Sequence, residues 1–436
     1  MKILKKTIVF FGVLLILIGC NKDDDSTPTV QNIAPTLQNQ NFTVTEDIDG
    51  DTIIGTVIVT DPDNDALTYS ITDNDLFTIN NIGELRLAAG KTLNYDVAQT
   101  YAIAIEVSDG AIAREAIITI NVTDITDVYT TIIEDGKGKI IKNGEVILST
   151  ESTGRFNSIY VSGKDVYTIG YKYEEGTGVV AYVWKNGDPT SISYNGNFAD
   201  PKYISVSGDD VYVVGEVSDP TVNHRILTLW KNGTIIETIA NGSLRGGVTG
   251  LYVFGSNVYV TFWERDSNGI DTVKLWKNGN ITTLSNGITS TSVSGIYGLE
   301  NNVYIVFNEK NTSNPNEIFN EVKLWHNGNT TTIMGDFFNP LYARDIYVAE
   351  NNDIYIVGTR RQSDNNYAAL WKNGTTKDIL YNGTLATNIY IFKEDVYVGG
   401  YNNYPNQKAR LWKNKETIIL PVDDSNISYV TDVFVK

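Results

Sequence analysis

Apolar and polar residues alternate with a period of two along much of this chain. Tyr101, Ile103, Ile105 and Val107 form one apolar face with other residues between them, the pattern of a strand packed on one side and solvated on the other. From residue 33 to 127 such runs are short: Phe42-Thr43-Val44, Thr56–Val59, Leu67–Ile71, Leu85–Leu87, Tyr101–Val107 and Ile117–Val122. Asp, Asn and Gly clusters separate them. Short strands broken by turn residues, six or seven in about 100 residues, predict an antiparallel β-sandwich.

Beyond residue 127 the pattern becomes a repeat. Trp184-Lys185-Asn186-Gly187 returns at Trp230, Trp276, Trp325 (with His326 in the Lys place), Trp371 and, degraded, Trp412, at spacings of 46, 46, 49, 46 and 41 residues. Ile141-Lys142-Asn143-Gly144 is an earlier copy with Ile in the Trp place. Each repeat spells four strands. In one copy they are Tyr203–Val206, Val211–Val214, Ile226–Trp230 and Ile235–Ile239, with tight turns at Gly208-Asp209 and Asn232-Gly233. Asn-Gly favours a two-residue hairpin because both positions tolerate φ > 0. Four-stranded units at this period predict propeller blades.

The two ends of this region are each incomplete. The first-strand pattern occurs around Ile159, Ile204, Leu251, Ile296, Ile346, Ile389 and Val433, whereas the other three strands first occur at Val128–Ile133, Lys139–Asn143 and Glu145–Leu148. The expectation is a seven-bladed β-propeller over residues 128–436 with a composite closing blade, built from 429–436 plus 128–149. Such closure leaves no sheet edge exposed. The region resembles seven-bladed propellers in architecture alone. It has no sialidase Asp box, no Gly-His with Trp-Asp pairing and no kelch double Gly, so no named propeller function follows.

Composition narrows the function. The 436 residues carry 34 Lys plus Arg against 52 Asp plus Glu, a formal charge of −18, which repels phosphate backbones and argues against a nucleic-acid partner. One Cys and two His exclude an intramolecular disulfide and a His-rich or Cys-rich zinc site. A metal held by this chain is then held by oxygen, which favours calcium.

At the N-terminus three lysines in Met1–Lys6 precede an apolar run, Thr7–Ile18, and then Leu17-Ile18-Gly19-Cys20. The run is shorter than the roughly 20 residues that span a bilayer. This segment resembles a bacterial lipoprotein signal, which implies a signal peptide over 1–19, cleavage before Cys20 and lipid on that residue. Residues 20–32 read as a disordered acidic tether. Asn21-Lys22-Asp23-Asp24-Asp25 resembles the surface-export signal of Bacteroidetes lipoproteins, which implies a lipid-anchored outer-membrane protein exposed at the cell surface. The alternative is a solvated spacer on a periplasm-facing lipoprotein.

The acids of residues 33–127 fall in the turns. Glu46, Asp61-Pro62-Asp63, Leu93-Asn94-Tyr95-Asp96, Asp109 and Asp124-Ile125-Thr126-Asp127 together resemble a cadherin repeat, which implies a cadherin/Ig-like Greek-key sandwich. The resemblance also implies that Glu46, Asp61, Asp63, Asp96, Asp109, Asp124 and Asp127 bind Ca²⁺, and that the protein serves cell adhesion, including with copies of itself. Asn94, Asp96, Thr126 and Val128 depart from the family pattern, and only one repeat is present. The competing expectation is that these acids cap turns through Asx hydrogen bonds.

Strand parity places the first-to-second and third-to-fourth connections of every blade on one face. The second-to-third and blade-to-blade connections share the other, and only they vary in length and composition. Trp263, Phe337, Phe338, Arg360 and Tyr401 lie in or beside these variable loops and are the expected ligand-binding residues, suited to a glycan or a protein partner. His224 and His326 lie in different blades, so a catalytic triad is not expected and the chain reads as a non-enzyme. The functional expectation is a lipid-anchored surface binding or adhesion protein. The alternative is a glycan-binding or glycan-cleaving propeller of a nutrient-acquisition system.

Overall fold

The computed structural model describes residues 31–436 except 96, 194–196, 312–318, 336–340, 363–364, 383 and 403–406. The chain divides into two compact units, Met1–Ile125 and Thr126–Lys436. Every regular element among the described residues is a strand, as the all-β class requires.

The first unit is a cadherin-like sandwich. One sheet orders strands Gln40–Thr45, Ala113–Thr123, Thr100–Ser108 and Thr68–Thr72, and the other orders Ile53–Thr56, Glu84–Leu87 and Phe77–Ile79. Alternation supplies the core between them: Leu85, Ile105, Val107, Ile118 and Ile120 are fully buried. The pairing departs from the all-antiparallel expectation in one place. Gln40–Thr45 runs parallel to Ile118–Thr123, because the entering and the leaving strand of this unit travel in the same direction side by side. Parallel pairs cannot be joined by a hairpin, and these two are separated by the rest of the sandwich.

The second unit is a propeller of four-stranded antiparallel sheets. Sheets 1 to 6 span Gly154–Ile192, Ala199–Ala240, Gly246–Thr283, Thr291–Gly335, Leu341–Asn382 and Thr384–Ile418, each with its four strands in chain order. A seventh sheet combines Ser428–Val435 with Val128–Glu134, Lys137–Lys142 and Glu145–Ser149. Seven apolar clusters lie between successive sheets, and one of them joins Tyr129 and Ile140 of sheet 7 to Phe156, Ile159 and Trp184 of sheet 1. The recurring Trp is central to these clusters. Trp230 packs with Tyr167 of the preceding sheet, Trp276 with Tyr212, and Trp371 with Tyr304. Ile141, which holds the Trp place in sheet 7, packs with Tyr397 in the same way.

In every sheet the turn between the third and fourth strands is stapled to the start of the second strand. Asn143, Asn186, Asn232, Asn278, Asn327, Asn373 and Asn414 all have φ between 45° and 53°, a region Asn tolerates better than most residues. Their Oδ1 atoms accept the backbone N–H of Val128, Val166, Val211, Val258, Val303, Ile354 and Val396 at 2.8–3.2 Å. Their Nδ2 atoms donate to Asp127, Asp165, Asp210, Asn257, Asn302, Asp353 and Asp395 at 2.6–3.1 Å. Where that residue is Asp, the Lys before the Asn pairs with it, as Lys185 does with Asp165 at 2.8 Å. The same Lys lies over the ring of Tyr167.

Candidate functional site at the propeller channel

The innermost strand of every sheet carries a β-bulge at the same place. The pairing skips Asn157, Lys202, Thr249, Ser294, Arg344, Thr387 and Thr431 in turn. A bulge inserts one unpaired residue and re-aims its side chain. All seven of these residues line a cavity of about 510 Å³ at one end of the central channel. These strands start at the blade-to-blade connections and end at the tight hairpins, so this mouth opens on the variable face.

Two further layers follow along the strands. Ser158, Tyr203, Gly250, Gly295, Asp345, Asn388 and Asp432 form the next layer, in a channel of about 360 Å³. Beyond them the rings of Tyr160, Phe434, Tyr390, Tyr347 and Tyr297 follow one another in tilted contact, with centroids 5.2, 4.8, 5.4 and 4.3 Å apart. This aromatic arc lines the channel on the side of the tight-hairpin face. Burial pushes the phenol of Tyr252, beside the arc, up to about 12.

Three cations stand at the mouth: Arg155, Lys202 and Arg344. Asp200, only 8% exposed, holds two of them, accepting from Arg155 through both oxygens at 3.1 Å and from Lys202 at 2.6 Å. Burial works against ionisation of Asp200, but Lys202 and Arg155 outweigh it and lower its pKa. Among the described residues Arg344 has no ion-pair or hydrogen-bond partner.

The layer below holds two carboxyls. Asp345 accepts the backbone N–H of Ile346 at 2.8 Å and of Ile389 at 3.0 Å. Asp432 accepts from Ser158 Oγ at 2.8 Å, Ile159 N at 3.0 Å and Val433 N at 2.9 Å. Burial pushes Asp345 up to about 7 and Asp432 up to about 6, against the pull of these donors. Gly295 makes room for Asp345, since a Cβ there would lie 2.7 Å from Asp345 Oδ1. Asn388, between the two carboxyls in sheet order, has a buried Oδ1 with no partner among the described residues.

The residues expected to bind a ligand do not form one site. Tyr401 lies at the mouth, edge-on to Tyr429 at 6.0 Å. Trp263 lines a separate pocket with Glu216, Arg225 and Arg245, and Arg245 stands over its ring. Burial raises the pKa of Glu216 there, opposed by Lys202 and Arg225. Gly247 permits this arrangement, because a Cβ would fall 2.9 Å from both Glu216 Oε1 and Trp263 Nε1. Arg360 is half-buried on an inner-sheet strand opposite Leu341 and does not line the mouth. Phe337 and Phe338 lie outside the described residues. Sequence reasoning missed Arg155, Lys202 and Arg344. For Lys202 and Arg344 the signal was the column two residues before each first-strand Ile, Leu or Val, which is polar in every repeat; Arg155 lies outside that column.

In the sandwich the carboxylates separate into two ends. Asp61, Asp63 and Asp65 each present an oxygen within 4.8 Å of the others. Asp61 Oδ1 accepts the N–H groups of Asp63 and Asp65, while its buried Oδ2 has no partner among the described residues. Asp63 accepts Ile33 N at 2.6 Å and the adjacent Asn32 donates to Asp109 at 2.8 Å, so these acids share one end. Backbone donation from Ile112, then the Asn32 amide, lowers the pKa of Asp109. Glu46 is at the other end, where its oxygens accept Tyr95 N and Ile125 N and its own N–H donates to Thr123. The 11-residue strand between Asp109 and Asp124 spans about 37 Å at ~3.4 Å per residue. One ion therefore cannot join the seven expected ligands. Asp127 is part of the second unit, paired with Lys142 at 2.7 Å and Asn143 at 2.8 Å as the first Asp of the propeller staple. Asp96 lies outside the described residues.

No family profile and no curated protein matches the chain. Solved structures do resemble it. The extracellular cadherin domains 1–4 of protocadherin gamma B7 share 14% identity at a TM-score of 0.22, covering 56% of this chain and 48% of that one. A puromycin-hydrolysing peptidase of Mycobacterium tuberculosis shares 11% at a TM-score of 0.42, covering 62% and 46%. The chain thus spans about half the length of each of these two. A quinoprotein alcohol dehydrogenase-like protein of Bacteroides thetaiotaomicron shares 12% at a TM-score of 0.42, covering 92% of this chain and 99% of that one. The reading of the chain as a non-enzyme is corrected here: peptidases and a glycoside hydrolase stand among the similar structures, and that reading is withdrawn.

Proposed function

We propose that this chain is a lipid-anchored cell-surface binding and adhesion protein, held through Cys20, whose propeller presents its variable face to a ligand. The observation that carries this reading is the channel mouth. Seven bulged residues, three of them able to carry charge or amide chemistry in Arg344, Lys202 and Asn157, point into one cavity on that face. Concave sites with a few convergent polar groups are where proteins bind small ligands and chain ends. A glycan array probed with the purified chain, with and without chelator, tests it together with sedimentation. Binding to a glycan, or chelator-sensitive self-association, supports the reading, and neither one sinks it. Labelled fatty acid incorporated by the parent and not by Cys20→Ala is the matching test of the anchor.

Calcium on the sandwich is supported by a separate observation. Asp61, Asp63 and Asp65 converge, and among the described residues the buried Oδ2 of Asp61 has no donor. Ca²⁺ takes six to eight oxygens, and a bound ion would supply the missing partner of that oxygen. Its role would be to tie the turn at 61–65 to the entering segment at Ile33. The lipid anchor, outer-membrane location and surface exposure follow from the resemblances of residues 1–25.

A further inference from the structure

We propose that the channel mouth binds an acidic saccharide, with Arg344 taking its carboxylate or sulfate and Arg155 and Lys202 completing the positive wall. The proposal rests on the propeller face being the recognition surface and names the class of ligand it takes.

Charge is the first support. The chain carries 52 acids against 34 bases, yet among the described residues the charged side chains lining the mouth are Arg155, Lys202 and Arg344, with no carboxylate. A cationic concavity on an acidic molecule focuses anions into itself and away from the surrounding surface.

Preorganisation is the second. Buried Asp200 fixes Arg155 and Lys202 in place, so little side-chain freedom remains to be lost when a ligand arrives. Arg344 is exposed and, among the described residues, without a partner. Its planar fork matches a carboxylate or sulfate through two parallel hydrogen bonds. The carboxyls in the next layer, Asp345 and Asp432, are each met by backbone N–H groups, which blunts their repulsion of an anion above them.

The wall around the cations suits a sugar. Ser292, Thr249 and Thr387 offer hydroxyls. Tyr342, Tyr401 and Tyr429 supply flat apolar faces with polar tips, which suit molecules that are apolar on one side and wet on the other. The volume of about 510 Å³ falls within the roughly 300–1,000 Å³ of small-ligand sites.

The test is a glycan array of neutral, uronate-containing and sulfated oligosaccharides on the full chain, followed by titration of the best binders. Uronates binding alone would identify carboxylate as the recognised group, and sulfated sugars binding alone would identify sulfate; either supports the proposal. Arg344→Ala should then raise Kd by about tenfold to a hundredfold, as loss of a charge-assisted hydrogen bond does. Arg344→Lys should recover part of that loss, and Trp263→Ala should leave Kd unchanged. Acidic glycans that bind Arg344→Ala and the Arg344→Ala/Lys202→Ala pair as tightly as they bind the parent overturn the proposal. Binding of neutral glycans only also overturns it while leaving the recognition surface standing. Binding of no glycan overturns it too, and self-association then decides the broader reading by itself.

Discussion

Ser158 Oγ donates to Asp432 Oδ2 at 2.8 Å, across 274 residues of chain. The two sit on the inner strands of sheets 1 and 7, so this bond ties the last strand of the protein to the first complete sheet. Asp432→Ala leaves the Ser158 hydroxyl and the Ile159 and Val433 N–H groups without their acceptor. Each buried orphan costs about 1–3 kcal/mol, so the propeller transition in urea should move to clearly lower concentration. Asp432→Asn keeps an acceptor and should lose less. Deleting 429–436 removes the inner strand of sheet 7 and should abolish the cooperative propeller transition; an unchanged melting profile would refute the role given to that strand.

The same carboxyl and its neighbour in sheet 5 set a pH dependence. Asp345 and Asp432 have folded values raised to about 7 and about 6 from 3.8. The folded state therefore binds these protons more tightly than the unfolded chain does. Their stabilising contribution is complete below pH 3.8 and disappears as pH rises through 6 and 7. The Tm of the propeller should fall between pH 5 and pH 8. The double variant Asp345→Asn/Asp432→Asn should flatten that fall, and an equally steep profile in the variant would assign it to other groups.

The staples should behave as independent, additive units. Asn232→Ala loses the acceptor for Val211 N and the donor to Asp210 and also strains a residue at φ 50°. The expected cost is about 2 kcal/mol by chemical denaturation. Asn232→Gly relieves the strain but not the lost bonds, so it should fall between parent and Ala.

Calcium separates two groups of acids that sequence alone had joined. Asp61→Ala with Asp63→Ala should abolish any calcium-dependent rise in the Tm of the sandwich. Asp127→Asn should leave that rise intact and instead weaken the propeller, because Asp127 pairs with Lys142 and Asn143. No rise in the parent protein would count against the metal.

What the sequence determined by itself was local and periodic. The alternation in Tyr101–Val107, the Asn-Gly turns and the recurring Trp were legible because strand faces and tight turns depend on residues a few positions apart. The polar column at Asn157, Lys202 and Arg344 was also present in the repeats. Nothing in a one-dimensional pattern, however, shows that a bulge leaves these residues unpaired and turns them into a channel. Only the tertiary structure placed Asp200 between Arg155 and Lys202, sent Trp263 to a separate pocket from Tyr401, and drew Asp127 into the propeller. It also put Glu46 and Asp109 at opposite ends of one strand. Each of these depends on which distant segments pack side by side, and so on the arrangement of whole sheets, a property no short stretch of residues carries.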